Sequence, residues 1–268
     1  MEWVLWAGTV GFDSDLDDRM HAATANGYSM VSLGPQDVDA ATRRGVTSRE
    51  LRHRAEDCGL TWVMDPIMNW HPVHKQSRLI HATFSVETVL EMCNEIGAPS
   101  VSPIAASHTA EPESLTEHFA RLCDMAAEVG VRCHLEFMPM SAVGDLRTAW
   151  DIVRAADRPN GGLMFDTWHF FRSDPDLDLL ATIPGDKIFA VQLNDAAAKI
   201  NGTLWDDTSK RLMPGDGEFD LQRVLAVLDE IGALEIVGPE VIHPTSDSEP
   251  PLDRARVAKQ RIEALLAR

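Results

Sequence analysis

The stretch Gly162-Leu-Met-Phe-Asp166-Thr-Trp-His169 decides the fold class. It places one acidic residue at the end of a short apolar run, and Ile188-Phe-Ala-Val-Gln192 does the same with an amide. Short apolar runs separated by stretches of helical period are typical of buried parallel strands joined by helices. Outward from these two runs the alternation covers the whole chain. It predicts strands at 3–8, 28–33, 60–66, 98–104, 131–137, 162–167, 187–193 and 235–241.

Helices are predicted between the strands, where apolar residues recur every three or four positions. Thr47-Ser-Arg-Glu50 and Ser114-Leu-Thr-Glu117 have the pattern of capping boxes, in which the first side chain bonds the backbone three residues on. Gly97 and Gly232 follow helical runs, where a residue with positive φ is usual. The predicted helices are 15–26, 47–58, 77–96, 113–129, 144–156, 175–182, 218–231 and 251–267.

Eight strands alternating with eight helices predict an α/β protein with a single (β/α)₈ TIM barrel, one domain spanning residues 1–268. A doubly wound open sheet is the alternative. Such sheets more often carry a glycine-rich phosphate loop after the first strand, and Ala7-Gly-Thr-Val-Gly-Phe-Asp13 lacks the full spacing.

The charge composition of the chain limits the kinds of molecule that it is expected to bind. Asp and Glu number 42 against 24 Lys and Arg, a net charge of −18, which repels nucleic acid and anionic membranes. No apolar run is long enough for a transmembrane helix, and the first residues lack the basic region of a signal peptide. The four cysteines form no C-x-x-C pair, so we expect reduced core thiols and a cytoplasmic location.

Four consecutive predicted strands end in an acidic or amide residue: Glu136, Asp166, Gln192 and Glu240. These ends meet at the C-terminal rim, where the active sites of TIM barrels lie. Three carboxylates crowded together repel each other unless a cation neutralises them. An all-oxygen set favours a divalent metal, with Mn²⁺ or Mg²⁺ preferred and Co²⁺ or Zn²⁺ as alternatives.

With these residues in place, the chain resembles the xylose isomerase-like TIM barrels of the sugar phosphate isomerase/epimerase superfamily. The family's metal set of Glu, Asp, His and Glu matches Glu136, Asp166, Gln192 and Glu240 by position. Its Asp-x-x-His element appears as Asp166-Thr-Trp-His169, and its Pro-Gly-x-Gly element as Pro214-Gly-Asp-Gly217. Gln192 is a departure, since many members have His there.

The resemblance implies a metal-dependent isomerase or epimerase that acts on a keto sugar or related hydroxy ketone through an enolate. Glu136 and Glu240 would exchange protons as acid and base on opposite sides of the substrate, with His169 beside a substrate oxygen. Arg211 and Arg172 would bind substrate carboxylate, phosphate or hydroxyl groups.

Further candidates follow strand three in Met64-Asp-Pro-Ile-Met-Asn-Trp-His71. Trp70 could stack on a sugar ring or plug the barrel, and His71 and His74 lie beside it. His134 shares the face of Glu136 and is predicted to be a core histidine.

Several alternatives stay open. Gln192 and Arg211 favour a dehydratase of a cyclic hydroxy ketone such as 3-dehydroshikimate. A nuclease on this fold needs additional histidines after strands two to four, and Ser32-Leu-Gly34 and Ser102-Pro-Ile104 do not supply them. A barrel that binds sugar without turnover would not need two opposed bases. We expect a small-molecule substrate and a homo-oligomer of unspecified size.

Overall fold

Eight parallel strands close into a barrel in chain order, and their C-terminal ends share one rim. The computed structural model describes residues 1–72, 84–106, 111–200 and 202–267. The TIM barrel is confirmed, and the open doubly wound sheet is wrong. The strands are β1 (Glu2–Leu5), β2 (Met30–Leu33), β3 (Thr61–Ile67), β4 (Ser100–Pro103), β5 (Arg132–Glu136), β6 (Gly161–Asp166), β7 (Ile188–Leu193) and β8 (Ile236–Pro239).

Helices surround the strands and also occupy several rim loops. Part of the predicted helix 77–96 lies outside the described residues. No helix of the described part is long and apolar enough to cross a membrane. The helices are α1 (Ala7–Val10), α2 (Leu16–Ala25), α3 (Pro35–Arg43), α4 (Ser48–Asp57), α5 (Val86–Ile96), α6 (Pro112–Glu128), α7 (Leu146–Ala156), α8 (Thr167–Arg172), α9 (Leu177–Leu180), α10 (Leu204–Thr208), α11 (Leu221–Glu230) and α12 (Pro251–Leu266).

Helices α1, α3, α8 and α10 were not predicted, and three of them are too short to show a helical period. The box at Thr47 is confirmed, because its hydroxyl accepts a bond from Glu50 N. The box at Ser114 is wrong: α6 begins earlier, with Pro112 in its first turn, so Ser114 lies inside the helix. Gly97 ends α5 with a φ of 74°, as predicted.

Alternation along each strand separates the barrel interior from the helix layer. Trp62 and Met64 of β3 belong to the large core shared with the helices. Val63 instead packs with Val4, Trp6, Met164 and Ala190 inside the barrel. A residue two positions after an interior residue also faces inward, so this register directs several polar side chains to the interior at the rim.

Candidate metal and active site

The Asp166 carboxylate caps helix α8 directly after β6. Its Oδ1 accepts a hydrogen bond from the backbone N–H of His169 at 3.0 Å. Acidic N-caps are strongly favoured, because they satisfy a backbone donor that has no partner within the helix. The cap therefore fixes both residues of the Asp-x-x-His element at the barrel mouth.

A compact group of possible ligand atoms forms around this cap. His169 Nε2 lies 3.1 Å from Glu136 Oε1, and both side chains are buried. Glu136, Asp166 and His169 each offer one atom within 4.8 Å of the others. Among the described residues, this is the single group of three His, Cys, Asp or Glu side chains with that geometry.

Gln192 completes the inner face of this group from β7, where it pairs with Asp166. One atom of its side-chain amide lies 3.2 Å from Glu136 Oε1 and 3.1 Å from Asp166 Oδ2. With the NH₂ turned toward them, the amide donates to both carboxylates. With the carbonyl turned toward them, three oxygens converge, an arrangement that a cation stabilises. The position therefore suits either an amide donor or a metal ligand.

Glu240 follows β8, and helix α1 holds it in place. The Thr9 hydroxyl donates to Pro239 O at 2.7 Å and accepts from Val241 N at 3.0 Å, so both neighbours of Glu240 are fixed. A Cβ on Gly8 would overlap Glu240 Oε1. The other carboxylate oxygen, Oε2, is buried without a hydrogen-bond partner in the described part of the chain.

Arg211 lies behind the carboxylates and is almost fully buried. Its Nη1 donates to Asp166 Oδ2 at 2.8 Å and to Glu240 O at 3.2 Å, and its Nη2 donates to Thr208 Oγ1 at 3.1 Å. The guanidinium carbon also lies 5.3 Å from the Trp168 ring centroid. Arg211 thus joins the cluster as a partner of Asp166.

Asn194 is a cluster residue that the sequence did not single out. Its amide nitrogen donates to both oxygens of Asp166, at 3.2 and 3.1 Å, and to Glu240 O. Its Oδ1 accepts from the Thr167 hydroxyl at 3.0 Å. The sequence feature that could have identified Asn194 is its position two residues after Gln192, on the same face of the chain.

Asp65 is a second residue near the cluster that was not predicted from the sequence. It lies on β3 two positions after the interior Val63, and it is half-buried. Burial raises the pKa of the Asp65 carboxyl well above its usual range, and the charge of Glu136 raises it further. The negative charge of Asp166 also raises this pKa, whereas a hydrogen bond from Ser102 and the charge of Arg211 oppose the shift. A further carboxyl thus faces the cluster.

The pKa values of Glu240 and Asp166 are shifted in opposite directions. Burial raises the pKa of the Glu240 carboxyl well above its usual range, and the charge of Asp65 adds to this. Burial also acts to raise the pKa of Asp166, but Arg211, His169 and Asn194 outweigh it and hold that pKa below its usual value. These neighbours therefore favour the ionised form of Asp166.

Arg172 does not join the cluster, although a substrate role was predicted for it. Its Nε donates to Asp207 Oδ2 at 2.7 Å, and its Nη2 donates to Ala197 O at 2.7 Å. Asp207 Oδ2 also accepts from the Trp168 indole at 2.9 Å. Because its donors bind protein groups, Arg172 secures the loop after β7 and is not placed to bind substrate.

Trp70 and His71 also lie apart from the cluster. Trp70 donates from Nε1 to Ile104 O at 2.9 Å and meets Phe119 of α6 edge to face. Both residues line a cavity of about 500 Å³ between α5 and α6. This position supports core packing for Trp70, and in the described part of the chain neither residue is brought to the cluster. His74 lies outside the described residues.

His134 is buried within the barrel, as predicted for a core histidine. Its ring meets Phe189 edge to face, with centroids 5.5 Å apart. Burial lowers its pKa to about 3. Asp195 organises the Pro214–Gly217 turn, since its carboxylate accepts bonds from Gly215 N and Phe219 N at 3.0 Å.

The cluster fits a divalent cation on its donor set. Glu136, Asp166, Gln192 and Glu240 supply oxygens, and a buried carboxylate oxygen without a partner is a group that needs an explanation. Several buried polar atoms without a partner among the described residues lie on inward-facing positions or at the rim: Trp6 Nε1, both nitrogens of His134, His169 Nδ1, Arg211 Nε and Glu240 Oε2. Gln36 Oε1 and His71 Nε2 are also buried without such a partner.

Known proteins with similar sequences are enzymes of two kinds. The 3-dehydroshikimate dehydratase of Pseudomonas aeruginosa is 30% identical over 223 residues, which are 81% of this chain and 34% of that protein. The chain thus spans about a third of the length of that relative. The inosose isomerase of Bacillus velezensis is 30% identical over 192 residues, 68% of this chain and 67% of that protein.

Solved structures show the same fold. An IolI protein with a bound zinc atom aligns with a TM-score of 0.89 at 21% identity, over 100% of this chain and 98% of that one. A fusion of a xylose isomerase-like TIM barrel with a 4-hydroxyphenylpyruvate dioxygenase aligns with a TM-score of 0.85 at 22% identity, over 99% and 42%. A family model described as xylose isomerase-like TIM barrel matches residues 20–267. The chain therefore belongs to the xylose isomerase-like TIM-barrel family.

Proposed function

We propose that the protein is a divalent-metal-dependent isomerase or epimerase that acts on a keto sugar or related hydroxy ketone through an enolate. The observation that carries this is the meeting of Glu136, Asp166 and Gln192 within hydrogen-bond distance at the rim, with His169 against Glu136. Glu136, Asp166, Gln192 and Glu240 would hold the ion. When bound, it supplies Lewis-acid polarisation of a carbonyl next to the carbon that loses its proton.

Proton transfer then falls to the chain's own side chains. Glu136 removes the proton from the carbon beside the carbonyl, and His169, hydrogen-bonded to Glu136 through Nε2, orients that carboxylate. Glu240 returns a proton from the other side. Return to the neighbouring carbon gives isomerisation, and return to the opposite face gives epimerisation.

The charges at the site favour a neutral substrate. Asp65, Glu136, Asp166 and Glu240 place four carboxyls at one mouth, and the neighbouring cation Arg211 is already bound to Asp166. An anionic substrate would need a cation that is free to receive it. A polyhydroxy ketone without a carboxylate meets the site with less repulsion, as inosose would.

A dehydratase of a cyclic hydroxy ketone is the second candidate. Gln192 in place of the family's more common His favours it, as does the similarity to 3-dehydroshikimate dehydratase. The same enolate leads to dehydration when a β-hydroxyl leaves. Arg211 counts against the dehydratase, because its Nη1 and Nη2 atoms already bind Asp166, Glu240 O and Thr208.

Deuterium exchange separates these outcomes. Keto sugars, keto-inositols and 3-dehydroshikimate are incubated with the Mg²⁺-supplemented protein in D₂O, and NMR follows the C–H signal beside each carbonyl. We expect exchange with at least one neutral ketone and its loss in Glu136→Gln. A conjugated product in the ultraviolet with 3-dehydroshikimate instead supports the dehydratase. Unchanged activity in both Glu136→Gln and Glu240→Gln would show that the proposed chemistry is wrong.

A further inference from the structure

Asp65 occupies a position from which it can contact substrate without being part of the proposed metal set. Its strand β3 is four strands away from β7 in the closed order, so Asp65 and Gln192 face each other across the barrel. Metal candidates come from the ends of β5 to β8, whereas Asp65 comes from the opposite wall. The substrate must lie between these walls if the ion sits on one of them.

The orientation of Asp65 follows from the strand register. Val63, two positions earlier, packs inside the barrel with Trp6 and Met164. Met64 pairs with Val101 of β4, so Asp65 lies level with Ser102, which is also inward-facing and fully buried. The charge of Asp65 acts on Glu240, and the charges of Glu136 and Asp166 act on Asp65, which places its carboxyl within the same mouth.

Ser102 belongs to the same wall as Asp65. Its hydroxyl is buried beside Asp65, and its hydrogen bond to the carboxyl lowers the Asp65 pKa against the effect of burial. Asp65 is half-buried, whereas Glu136, Asp166 and Glu240 are buried. The wall formed by Asp65 and Ser102 thus offers hydrogen-bonding groups on the open side of the mouth.

We propose that Asp65 binds the hydroxyl groups of the substrate on the side away from the reacting carbonyl, and that it selects neutral polyhydroxy ketones over those that carry a carboxylate. This inference rests on the proposed function for the identity of the site. A carboxyl hydrogen-bonds one or two hydroxyls whether it is ionised or protonated, and its ionised form makes the stronger bonds. A substrate carboxylate at the same place would meet Asp65, Glu136 and Glu240, while the nearby Arg211 is already bound to Asp166.

The test compares two non-reacting probes by calorimetry on the Mg²⁺-loaded protein. One probe is myo-inositol, a neutral cyclic polyol, and the other is shikimate, a cyclic polyol with a carboxylate. In Asp65→Asn we expect myo-inositol to bind about 10-fold more weakly, the usual size for a hydrogen bond to a charged group, and shikimate to bind at least as well as before. The preference between the probes therefore falls by about 10-fold or more.

Asp13→Asn is the matched control, because Asp13 is an exposed carboxylate in the loop after β1 at the same rim. It should leave the preference unchanged. Asp65→Ser is made as well, so that a folding defect in one variant leaves the other to decide, and bound Mg²⁺ is measured in each. Equal weakening of both probes, an unchanged preference, or wild-type protein that binds neither probe would overturn the role of Asp65.

The deuterium-exchange assay on the wild-type protein keeps the two hypotheses separate. Absence of exchange with every ketone, together with a shifted probe preference in Asp65→Asn, would overturn the proposed chemistry and support Asp65 as a binding residue. Exchange with at least one ketone, together with an unshifted probe preference in Asp65→Asn, would support the proposed chemistry and overturn Asp65 as a binding residue.

Discussion

His169 Nε2 lies 3.1 Å from Glu136 Oε1, although the two residues are 33 positions apart and leave different strands. The Asp166 cap on helix α8 fixes the His169 backbone, and the register of β5 against β6 fixes Glu136 opposite Met164. The contact is therefore set by backbone elements on both sides. Such a supported geometry suits proton transfer, which requires hydrogen-bond distances.

Replacing His169 with Asn should slow catalysis without emptying the metal site. Because His169 orients the proposed base Glu136, its loss should cost up to about 10²- to 10⁴-fold in rate, the amount that acid–base catalysis typically contributes. We expect the exchange rate of the alpha proton to fall within this range, while the Mn²⁺ content stays near one ion per chain. The measurement pairs NMR exchange with metal analysis. His53→Asn on the exposed face of α4 is the control, and loss of metal along with activity would instead make His169 a ligand.

Replacing Gly8 with Ala should disable the site through Glu240. The added Cβ would overlap Glu240 Oε1 and would also press on Ile242. Because Thr9 fixes the backbone on both sides of Glu240, the carboxylate must move while its backbone stays in place. Metal affinity measured by calorimetry should fall at least about 10-fold, the loss that support residues of metal sites commonly cause. Gly144→Ala is the control, since its nearest neighbour is Ser141 O at 3.6 Å; equal affinity in both variants would contradict this account.

Replacing Arg172 with Ala should lower stability and leave the chemistry in place. Arg172 and Asp207 form a buried ion pair at 2.7 Å, with side-chain exposures of 4% and 10%. Removing one partner of a buried pair costs about 3–5 kcal/mol of unfolding free energy. Denaturant titration measures this loss, and the KM of the folded variant should change little. The exposed pair of Arg147 and Asp176 is the control, where Arg147→Ala should cost less than about 1 kcal/mol.

The affinity for a divalent ion should fall as the pH is lowered. The Glu240 pKa is raised by burial, so the protonated form persists above the usual range of a glutamate. A metal must displace that proton, because only the carboxylate can act as a ligand. Affinity should therefore be constant above the raised pKa and decline by about tenfold per pH unit below it. Calorimetry across pH measures the slope, and Glu240→Gln should reduce it. An identical slope in that variant would show that Glu240 is not the group that titrates.

His134 should make the protein less stable in mild acid. Its pKa is about 3 in the folded protein against an ordinary value of 6.5. Below pH 6.5 the unfolded chain binds a proton that the folded protein cannot, so stability falls toward about 1.4 kcal/mol per pH unit until the lower pKa is reached. The contribution is absent at higher pH. Between pH 7 and 5 the unfolding free energy of the wild-type protein should fall relative to that of His134→Asn, and parallel curves would contradict the prediction.

The barrel, and the meeting of most candidate residues at one rim, were predictable because both depend on short-range patterns. Asp166 and Gln192 each end an apolar run, and the ends of parallel strands share one rim. Asp65 was missed although it lay within the predicted strand 60–66, because the acidic and amide residues singled out were those that end four consecutive later strands, and β3 extends past Asp65 to Ile67. An acidic residue two positions after an inward-facing valine was the signal that could have identified it.

The roles of Trp70 and Arg172 were not predictable, because their partners are distant in sequence. Trp70 packs against Phe119, and Arg172 binds Asp207 across 35 positions. Both residues follow a predicted strand closely in sequence, which predicts a position near the rim. Which way each side chain turns depends on packing that no local pattern encodes.

The metal site is the central claim, and calorimetric titration of Mn²⁺ into metal-free protein tests it most directly. The account predicts one ion per wild-type chain and loss of that binding in Asp166→Asn. Asp157→Asn, at the exposed end of α7, should bind as the wild type does. Absence of binding to the wild-type protein, or equal binding to Asp166→Asn, would contradict a metal site built on Glu136, Asp166, Gln192 and Glu240.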